Sequence, residues 1–494
     1  MKDLPFTAEY IDYLRDESRR VGEAESISFP QTEMEVCDIL RQMNEQGIVV
    51  TTQGARTGIA AGAVPRGGHV LNLSRMTDIA EVQTFDDSAT VKVQPGVLLQ
   101  DLREVLIPLG LFFPPDPTET SASIGGMAAC NASGALTYHY GSMRNWVAAV
   151  RMALVDGSLL SLHRGEVFAQ GRAFSITTKN GQIIKGQLPD YQLPVSKSAA
   201  GYFVADDMDM LDLLIGMEGT LGIITEIELR LISIPEVVQA LTVFLPEEIA
   251  AIEYVRRLRC ESSAVAIEFF NHDVLELLRQ AKSEGNSFAD IPTLQPHFHT
   301  AVYAEFHGSE AELIEEEVMA AMGVAMELGG NEDDTWYADN ARLLAGQKAF
   351  RHATPEAVNM LIDQRKRETP ELTKLGTDMS VPDAALEEVM QMYRDDLAAA
   401  GLESVVFGHI GNNHLHVNIL PRSLEEYTHG KELYLNWAQQ VVNLGGSVSA
   451  EHGIGKLKTS FLKLMYGEAG IAQMRALKKI FDPQGLLNKG TLFD

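Results

Sequence analysis

Residues 53–65 read QGARTGIAAGAVP, and their glycines, Gly54, Gly58 and Gly62, are spaced by four directly after the strand-like run IVVTT. This spacing differs from a G-x-G-x-x-G dinucleotide turn and from a P-loop, which removes the main support for an NAD or nucleoside triphosphate site. Glycines spaced by four also suit a helix-packing face, but each would cost a helix about 1 kcal/mol. A strand followed by a loop whose bare amides approach an anion fits better.

A second stretch of small residues lies at 121–134, SASIGGMAACNASG, after the proline-rich run PPDP at 114–117. Its Ser, Gly, Ala and Asn residues would make a wall that a flat ligand can touch with backbone atoms. A third such segment, GMEGTLG at 216–222, precedes alternating apolar and charged residues, which predict a half-buried strand. A glycine-rich β-domain with tight corners is the alternative, but it does not explain three such loops in one half of the chain.

Local signals place several elements. Thr32 and Glu35 form a T-x-x-E capping box, which predicts a helix running to Gly47. Asp156-Gly157 joins two apolar runs and predicts a hairpin with a type I′ turn. After Pro235 short strands alternate with longer helices, with strands near 241–244, 265–270 and 302–306 and helices near 247–259, 273–283 and 310–328. Strands and helices in this order predict an α+β unit with the helices on one side of its sheet.

Composition excludes several classes of protein. The formal net charge of -28 over 494 residues argues against nucleic-acid binding, which needs clustered Lys and Arg. The three cysteines, Cys37, Cys130 and Cys260, are too scattered for a disulfide framework, a zinc ribbon or an iron–sulfur cluster within the chain. The sequence has no signal-peptide pattern and no long apolar run, so it predicts a cytoplasmic protein, or one peripheral to a membrane.

Three histidines cluster at 407–420, FGHIGNNHLHVNIL, and a Glu-His pair follows at 449–455, SAEHGIG. On a strand, His414 and His416 would point to one face, while Leu415 and Val417 point to the other. Imidazoles together with a carboxylate are ligands for a borderline divalent metal. The sequence therefore predicts a metal site here.

Four motifs in order carry a resemblance to a known family: QGARTGIAAGAVP, PPDPTETSASIGGMAACNASG, YGSMRNWV and GMEGTLGIITEIEL. They resemble the FAD domain of the vanillyl-alcohol oxidase/PCMH superfamily, in the branch of FAD-linked D-lactate dehydrogenases, glycolate oxidase catalytic subunits and D-2-hydroxyglutarate dehydrogenases. The resemblance implies an α+β fold with a two-part PCMH-type FAD-binding domain at 1–235. A cap or substrate domain with an antiparallel sheet would follow at 236–445, and a C-terminal segment at 446–494 would return to the FAD domain.

In that family the first loop holds the FAD pyrophosphate and the later motifs lie along the flavin. The matching positions are Gly54, Ala55, Arg56, Thr57 and Gly58, then Pro115, Ser121, Gly125, Gly126, Ala128 and Asn131, then Gly219, Gly222, Ile224 and Asn488. The family's first loop usually reads G-G-G-T-G, so Arg56 here either pairs with the pyrophosphate or points to solvent. Neither loop offers a histidine where relatives attach flavin covalently, so we expect non-covalent FAD.

The same resemblance gives roles to the histidine cluster. His409, His416 and Glu451 match the positions that hold a divalent metal, which would be Zn, Fe or Mn, in the metal-bearing members. His452 matches the residue proposed there as the base that takes the substrate's hydroxyl proton. His414 stays open between a further metal ligand and a substrate contact.

Three further residues match substrate positions of the family. Arg351, in KAFRH, stands where relatives present an arginine to the substrate carboxylate, and Asn418 matches another substrate contact. Lys374 is a second candidate cation, but it lies four residues before Asp378, whereas the family's lysine lies two residues before the aspartate.

The resemblance therefore predicts an FAD-dependent dehydrogenase that oxidises a D-2-hydroxy acid, such as D-lactate, glycolate or D-2-hydroxyglutarate, to the 2-oxo acid. Two alternatives remain open: an alcohol oxidase or ether-lipid synthase of the same superfamily, and a flavin subunit of an electron-transfer complex. The acceptor would be external, either an electron-transfer flavoprotein, a quinone or an iron–sulfur subunit. A homodimer is left open.

Overall fold

The computed structural model describes residues 4–85, 88–285 and 288–494. Its helices are α1 (Glu33–Gln46), α2 (Leu99–Leu106), α3 (Ile124–Cys130), α4 (Thr137–Tyr140), α5 (Met143–Trp146), α6 (Leu211–Leu214), α7 (Glu248–Glu261), α8 (His272–Ser283), α9 (Ala311–Glu327), α10 (Ala341–Arg365), α11 (Leu386–Ala400), α12 (Leu424–Asn443) and α13 (Thr459–Phe481).

The strands form sheets of four, six, two and eight members in these ranges. The strands are β1 (Leu4–Pro5), β2 (Ser26–Ser28), β3 (Val50–Gln53), β4 (His69–Asn72), β5 (Gln83–Phe85), β6 (Ser88–Val93), β7 (Leu111–Phe112), β8 (Val147–Ala153), β9 (Leu159–His163), β10 (Ala173–Thr177), β11 (Ile183–Gln187), β12 (Ile223–Ser233), β13 (Val237–Leu245), β14 (Ala266–Phe270), β15 (Thr300–Gly308), β16 (Trp336–Ala338), β17 (Leu375–Gly376), β18 (Met379–Ser380), β19 (Ser404–Gly408) and β20 (His414–Ile419).

The first half contains two larger sheets. The four-stranded sheet has the order β1-β2-β4-β3, and β4 pairs in parallel with both β2 and β3. The six-stranded antiparallel sheet has the order β5-β6-β12-β8-β9, with β7 paired to β12. The predicted capping box of α1 is confirmed: the Thr32 side chain accepts from the Glu35 amide, and the Glu35 side chain accepts from the amide of Thr32.

The Asp156-Gly157 hairpin forms between β8 and β9, but the predicted turn type is wrong. A type I′ turn needs a positive φ at both central residues. Only Gly157 of this pair has one, at 77°, and the turn is closed by a 2.8 Å bond from the Leu154 amide to the Ser158 carbonyl. The loop is therefore a residue longer than predicted, because Val155 leaves the strand and Gly157 alone supplies the left-handed position.

The eight-stranded antiparallel sheet, which we call the cap sheet, has the order β16-β13-β15-β14-β19-β20-β17, with β18 paired to β20. The prediction that helices cover one side of it was wrong. Leu241 and Val243 of β13 pack into the core that α7 and α9 join, whereas Ala240 and Phe244 of the same strand pack into a second core with α8 and α10. Both sets of alternating positions are apolar, so each face of the sheet needs a cover.

The chain returns to the first half at its C-terminal end. The Val50 amide of β3 donates to the Leu486 carbonyl at 2.9 Å, and the Asn488 amide donates to the Val50 carbonyl at 2.8 Å. Phe481 at the end of α13 stacks on Phe174 of β10, with ring centroids 6.1 Å apart. Across the described ranges, none of the helices combines the length and apolarity needed to cross a lipid bilayer.

Candidate active site

The first two small-residue loops meet at Ser123. Its hydroxyl oxygen accepts hydrogen bonds from the amides of Ala55 and Gly126, both at 3.3 Å. A Cβ at Gly54 would lie 2.2 Å from the same oxygen, so only glycine permits this approach. Residues 53–65 and 121–134, far apart in sequence, therefore form one surface.

Asn488 brings the third motif to the same place. Its side-chain oxygen accepts from the Thr52 amide at 2.8 Å, and its side-chain nitrogen donates to the Glu218 carbonyl at 2.7 Å. Added Cβ atoms at Gly58 and Gly62 would meet nothing within 4 Å, so the first loop presents bare backbone to open space. A surface of exposed backbone and small side chains, drawn from three motifs, fits a flat, phosphate-bearing cofactor such as FAD.

Other predicted cofactor residues shape these loops. Asn131 ends α3 in a left-handed conformation, and its side-chain oxygen accepts from the Ser142 hydroxyl and the Arg144 amide, both at 3.0 Å. The remaining positions lie along the loops or directly behind them. Behind the loops, Gly125 packs on Pro95, Gly222 packs on Met152, the Ala128 carbonyl accepts from the Gly216 amide, and Pro115 and Ile224 are buried. Along the loops, Thr57 is half-buried and the Ser121 hydroxyl donates to the Glu119 carboxylate.

Arg56 contacts the N-terminal segment in this structure, and its pairing with a pyrophosphate stays a prediction. Its guanidinium lies 4.2 Å from the Tyr13 ring centroid and donates to the Asp12 carbonyl at 2.7 Å. Its backbone is left-handed, with φ at 62°, where the family usually has glycine. The side chain therefore ties the first loop to the N-terminal segment.

The metal-ligand prediction is supported by geometry. One potential ligand atom from each of His409, His414, His416 and Glu451 lies within 4.8 Å of the others. The Nδ1 atom of His414 is buried, has no hydrogen-bond partner among the described residues, and lies 3.9 Å from Oε2 of Glu451. Three imidazoles and a carboxylate aimed at one point, with an orphaned nitrogen among them, fit a divalent cation. His414 thus joins the potential ligands, which the sequence left open.

His409 and His416 are each oriented by a hydrogen bond at their other nitrogen, whereas neither ring nitrogen of His414 has a hydrogen-bond partner among the described residues. His409 Nδ1 lies 2.7 Å from Glu268, His416 Nδ1 lies 3.0 Å from the Thr377 carbonyl oxygen, and His414 Nε2 lies 3.1 Å from Asp378. Carboxylates and carbonyls in this position fix the ring and its tautomer, as they do around metal-bound histidines.

The electrostatics of the cluster also suit a cation. Burial lowers the pKa of His414 to about 4. Burial, together with the charges of His414 and His452, lowers the pKa of His416 well below its usual value. Both rings are therefore neutral at pH 7, the form in which an imidazole can bind a metal. Burial would also lower the pKa of His409, but the charges of Glu268 and Glu451 raise it to about 9. The space between those two carboxylates therefore favours positive charge.

Asp378 holds His452, the predicted base. Its carboxylate is 1% exposed, accepts from the Glu451 and His452 amides, and lies 3.3 Å from His452 Nδ1. Burial opposes its ionisation, but the charges of His452 and Lys458 hold the pKa of Asp378 well below its usual range. His452 Nε2 is left facing the cluster, 3.9 Å from Glu451 Oε2, on a side chain that is 31% exposed.

The predicted substrate residues separate into two groups. Arg351 of α10 lies over the Tyr303 ring, 5.1 Å from its centroid, and within the described part of the chain its buried Nε has no hydrogen-bond partner. Asn418 is buried in β20, on the same side of that strand as His416. Lys374 is different: Arg19 is its charged neighbour, and among the described residues no hydrogen bond or ion pair joins it to the cluster.

The segment 451–456 joins the two halves of the site. Glu451 accepts from the Ser133 hydroxyl at 3.2 Å, at the end of the second small-residue loop. The Ile454 and Gly455 amides donate to the Glu218 carboxylate, and the Lys456 amide donates to the Ala60 carbonyl in the first loop at 2.9 Å. The histidine cluster therefore adjoins the proposed flavin surface.

Sequence reasoning missed Asp378, Glu268 and Lys197 as members of the site. Asp378 was visible in the segment GTDMSVP, but only as a reference point for Lys374. Glu268 and Lys197 stand in ordinary strand and loop sequence, so no local signal marks them.

Two family models match the chain. Residues 234–492 match the family described as FAD linked oxidases, C-terminal domain, and residues 24–163 match an FAD binding domain. The predicted presence of an FAD-binding domain is thereby confirmed, while its predicted bounds stay a prediction.

Individual proteins match over nearly the whole chain. A D-lactate dehydrogenase of Anaerostipes hadrus is 30% identical over 97% of this chain and 92% of its own length. A D-2-hydroxyglutarate dehydrogenase of Xanthomonas citri pv. viticola is 31% identical over 100% and 94%. Glycolate oxidase subunit GlcD of Bacillus subtilis is 26% identical over 95% and 89%.

Among solved structures, an alkyldihydroxyacetonephosphate synthase superposes with a TM-score of 0.64 at 15% identity, over 94% of this chain and 76% of the synthase. At that identity the likeness shows the fold alone. The predicted α+β architecture is confirmed. The chain therefore belongs to the family of FAD-linked oxidases whose members include proteins named D-lactate dehydrogenase, D-2-hydroxyglutarate dehydrogenase and glycolate oxidase subunit, and it is an FAD-linked oxidoreductase.

Proposed function

We propose that the protein oxidises a D-2-hydroxy acid to the 2-oxo acid, with hydride transfer to FAD, a divalent cation at His409, His414, His416 and Glu451, and His452 as base. The observation that carries this proposal is the arrangement of three features beside the small-residue loops. These are a cluster of imidazoles and a carboxylate, a His-Asp pair, and a guanidinium with an unpaired nitrogen.

The reaction removes two hydrogens from the substrate. The C2 hydrogen leaves with its electron pair, and the hydroxyl proton leaves to a base. FAD, when bound, supplies the hydride acceptor. A divalent cation, when bound, supplies acidity: it lowers the pKa of a bound water to about 7, and an alcohol oxygen responds in the same way.

His452 takes the proton in this scheme. Asp378 at Nδ1 fixes the ring, so the proton is received at Nε2, which faces the cluster. The resulting imidazolium is stabilised by the neighbouring carboxylate, as in other His-Asp pairs.

Arg351 would orient the substrate through its carboxylate. Beside it lie Glu268 and Glu305, whose charges help to raise the pKa of Arg351 and keep it a cation although it is buried. A planar guanidinium binds a carboxylate with two parallel hydrogen bonds, which fixes the substrate face that meets the flavin.

We expect Arg351→Met to raise the KM for a 2-hydroxy acid by about 10²-fold, because a charged hydrogen bond contributes roughly 1.5–3 kcal/mol. Arg351→Lys should recover only part of this loss, since an ammonium cannot form the bidentate pair. Steady-state kinetics on both variants test the assignment. An unchanged KM in Arg351→Met, with FAD content equal to wild type, would remove Arg351 from substrate binding.

The most direct test of the proposed function is anaerobic bleaching of the flavin. D-lactate, L-lactate, glycolate, D-2-hydroxyglutarate, D-malate and a neutral alcohol are each mixed with the oxidised protein. We expect bleaching by at least one D-2-hydroxy acid or by glycolate, and none by the neutral alcohol. Bleaching by the neutral alcohol alone would favour an alcohol oxidase of the same superfamily.

We also expect FAD to dissociate on denaturation. Cys130 is the thiol in the second loop, and burial raises its pKa to about 12, so its nucleophilic thiolate is scarce at neutral pH. Heating followed by filtration should leave the flavin in the filtrate and the polypeptide colourless. Flavin fluorescence that stays on the protein band in a denaturing gel would contradict this. The external electron acceptor stays a prediction.

A further inference from the structure

One buried lysine of the FAD-binding half contacts a potential metal ligand of the other half. Lys197, in the loop between β11 and α6, places Nζ 2.6 Å from Glu451 Oε1. The two side chains are 7% and 9% exposed. A buried pair of this kind is costly to form without precise support from its surroundings.

The backbone around Lys197 supplies that support. Residues 196–199 form hydrogen bonds with the two segments that flank the cluster. The Ser380 hydroxyl donates to the Lys197 carbonyl at 2.5 Å and lies 3.0 Å from the Ser196 hydroxyl. The Ser198 and Ser447 hydroxyls are bonded at 2.9 Å, and the Ala199 amide donates to the Ser449 carbonyl at 2.8 Å. The position of the lysine is thus fixed by the fold.

The two oxygens of Glu451 consequently differ. Oε1 accepts from Lys197 and from the Ser133 hydroxyl at 3.2 Å, and it also lies 3.2 Å from His409 Nε2. Among the described residues, Oε2 accepts no hydrogen bond; it faces His414 Nδ1 and His452 Nε2, both at 3.9 Å, and His416 Nε2 at 4.0 Å. A carboxylate can bind a cation through one or both oxygens, and here one of them is already engaged.

We infer that Lys197 is a positioning residue that restricts Glu451 to ligation through Oε2 and keeps the bound cation electron-poor. This inference rests on the proposed function. The ammonium neutralises part of the charge that Glu451 would otherwise donate, and it repels the cation at short range. The lysine thereby lowers the affinity of the site for the metal and makes the bound cation more acidic.

If Lys197 acts through its charge, its neutral variants should bind the metal more tightly, whereas a merely structural role predicts weaker binding. In Lys197→Met the carboxylate of Glu451 is buried without its partner, so a divalent cation should bind more tightly, by at least about tenfold. The kcat for the 2-hydroxy acid should fall by about tenfold or more with little change in KM, because the cation is less acidic. Lys197→Arg keeps the charge and should bring both the metal affinity and kcat back from the Lys197→Met values toward those of wild type.

The experiment measures the dissociation constant of Mn²⁺ or Zn²⁺ in metal-buffered solutions of the FAD-loaded protein, together with the electron paramagnetic resonance spectrum of the Mn²⁺ form. A second neutral variant, Lys197→Gln, serves if Lys197→Met does not fold, and Lys431→Met, at an exposed site on α12, is the matched control. We expect tighter binding and an altered Mn²⁺ spectrum in both neutral variants, and no change in the control.

Weaker or lost metal binding in folded, flavin-loaded Lys197→Met would overturn the inference, because it would make Lys197 a structural support only. Equal binding in wild type and variant would also overturn it. Failure of wild type to bind either cation would instead refute the metal part of the proposed function, so the two failures are distinguishable.

Discussion

His452→Ala is expected to lower kcat for the 2-hydroxy acid by about 10²–10⁴-fold, the usual contribution of a positioned general base. The side chain is partly exposed and makes its main contact with Asp378, so its removal leaves the small-residue loops untouched. FAD content and the flavin absorption spectrum should therefore match wild type. Stopped-flow reduction of the flavin under anaerobic conditions measures the effect on the chemical step alone.

Asp378→Asn separates orientation from proton transfer. It keeps the shape of the buried side chain but replaces the carboxylate that faces His452 Nδ1 with a neutral amide. The rate of flavin reduction should therefore again fall by orders of magnitude. His297→Ala is a matched control, because His297 is an exposed histidine that also pairs with an aspartate, Asp334. Flavin reduction at the wild-type rate in His452→Ala would remove His452 from the mechanism.

Removal of the divalent cation is expected to have the second large effect, a loss of about 10³-fold or more in flavin reduction by the 2-hydroxy acid. Metal ions contribute several kcal/mol to such steps, and each 1.36 kcal/mol is about a factor of ten. Prolonged dialysis against a chelator, followed by metal analysis and re-addition of Zn²⁺, Mn²⁺ or Fe²⁺ one at a time, tests this and identifies the active metal.

His416→Ala should reproduce the effect of chelation and should resist rescue by added metal, because His416 is one of the four potential ligands. Reduction by dithionite should be unaffected in the same samples, which shows that the flavin itself is intact. Full activity of a protein shown to be metal-free would contradict the proposed role of the cluster.

Much of this site could be predicted from local sequence. Alternation along β20 predicted that His414 and His416 lie on one face of the strand. The structure confirms it, since Leu415 and Val417 pack into the hydrophobic core on the other face. The capping box of α1 was equally readable, since both partners lie within one turn. Such features depend on neighbours in the chain, and their geometry follows from the period of a strand or a helix.

Other features depend on distant residues, and the prediction that helices cover one side of the cap sheet failed for that reason. Helices cover both faces of the cap sheet, because its strands are apolar at both sets of alternating positions. Arg56 lies on Tyr13, a contact that only the folded N-terminal segment creates. Lys374, whose spacing from Asp378 departs from that of the family, has Arg19 as its charged neighbour, and among the described residues no hydrogen bond or ion pair joins it to the cluster.

The sequence by itself determined the chemical types in this protein: bare-backbone loops for a cofactor, imidazoles and a carboxylate for a cation, and a histidine for a proton. Only the tertiary structure decided how they act together. Asp378 reaches both His414 and His452, and Lys197 reaches Glu451 across 254 positions of chain. The physical reason is that a buried charge must be compensated within a few ångströms, and packing rather than sequence distance selects its partner.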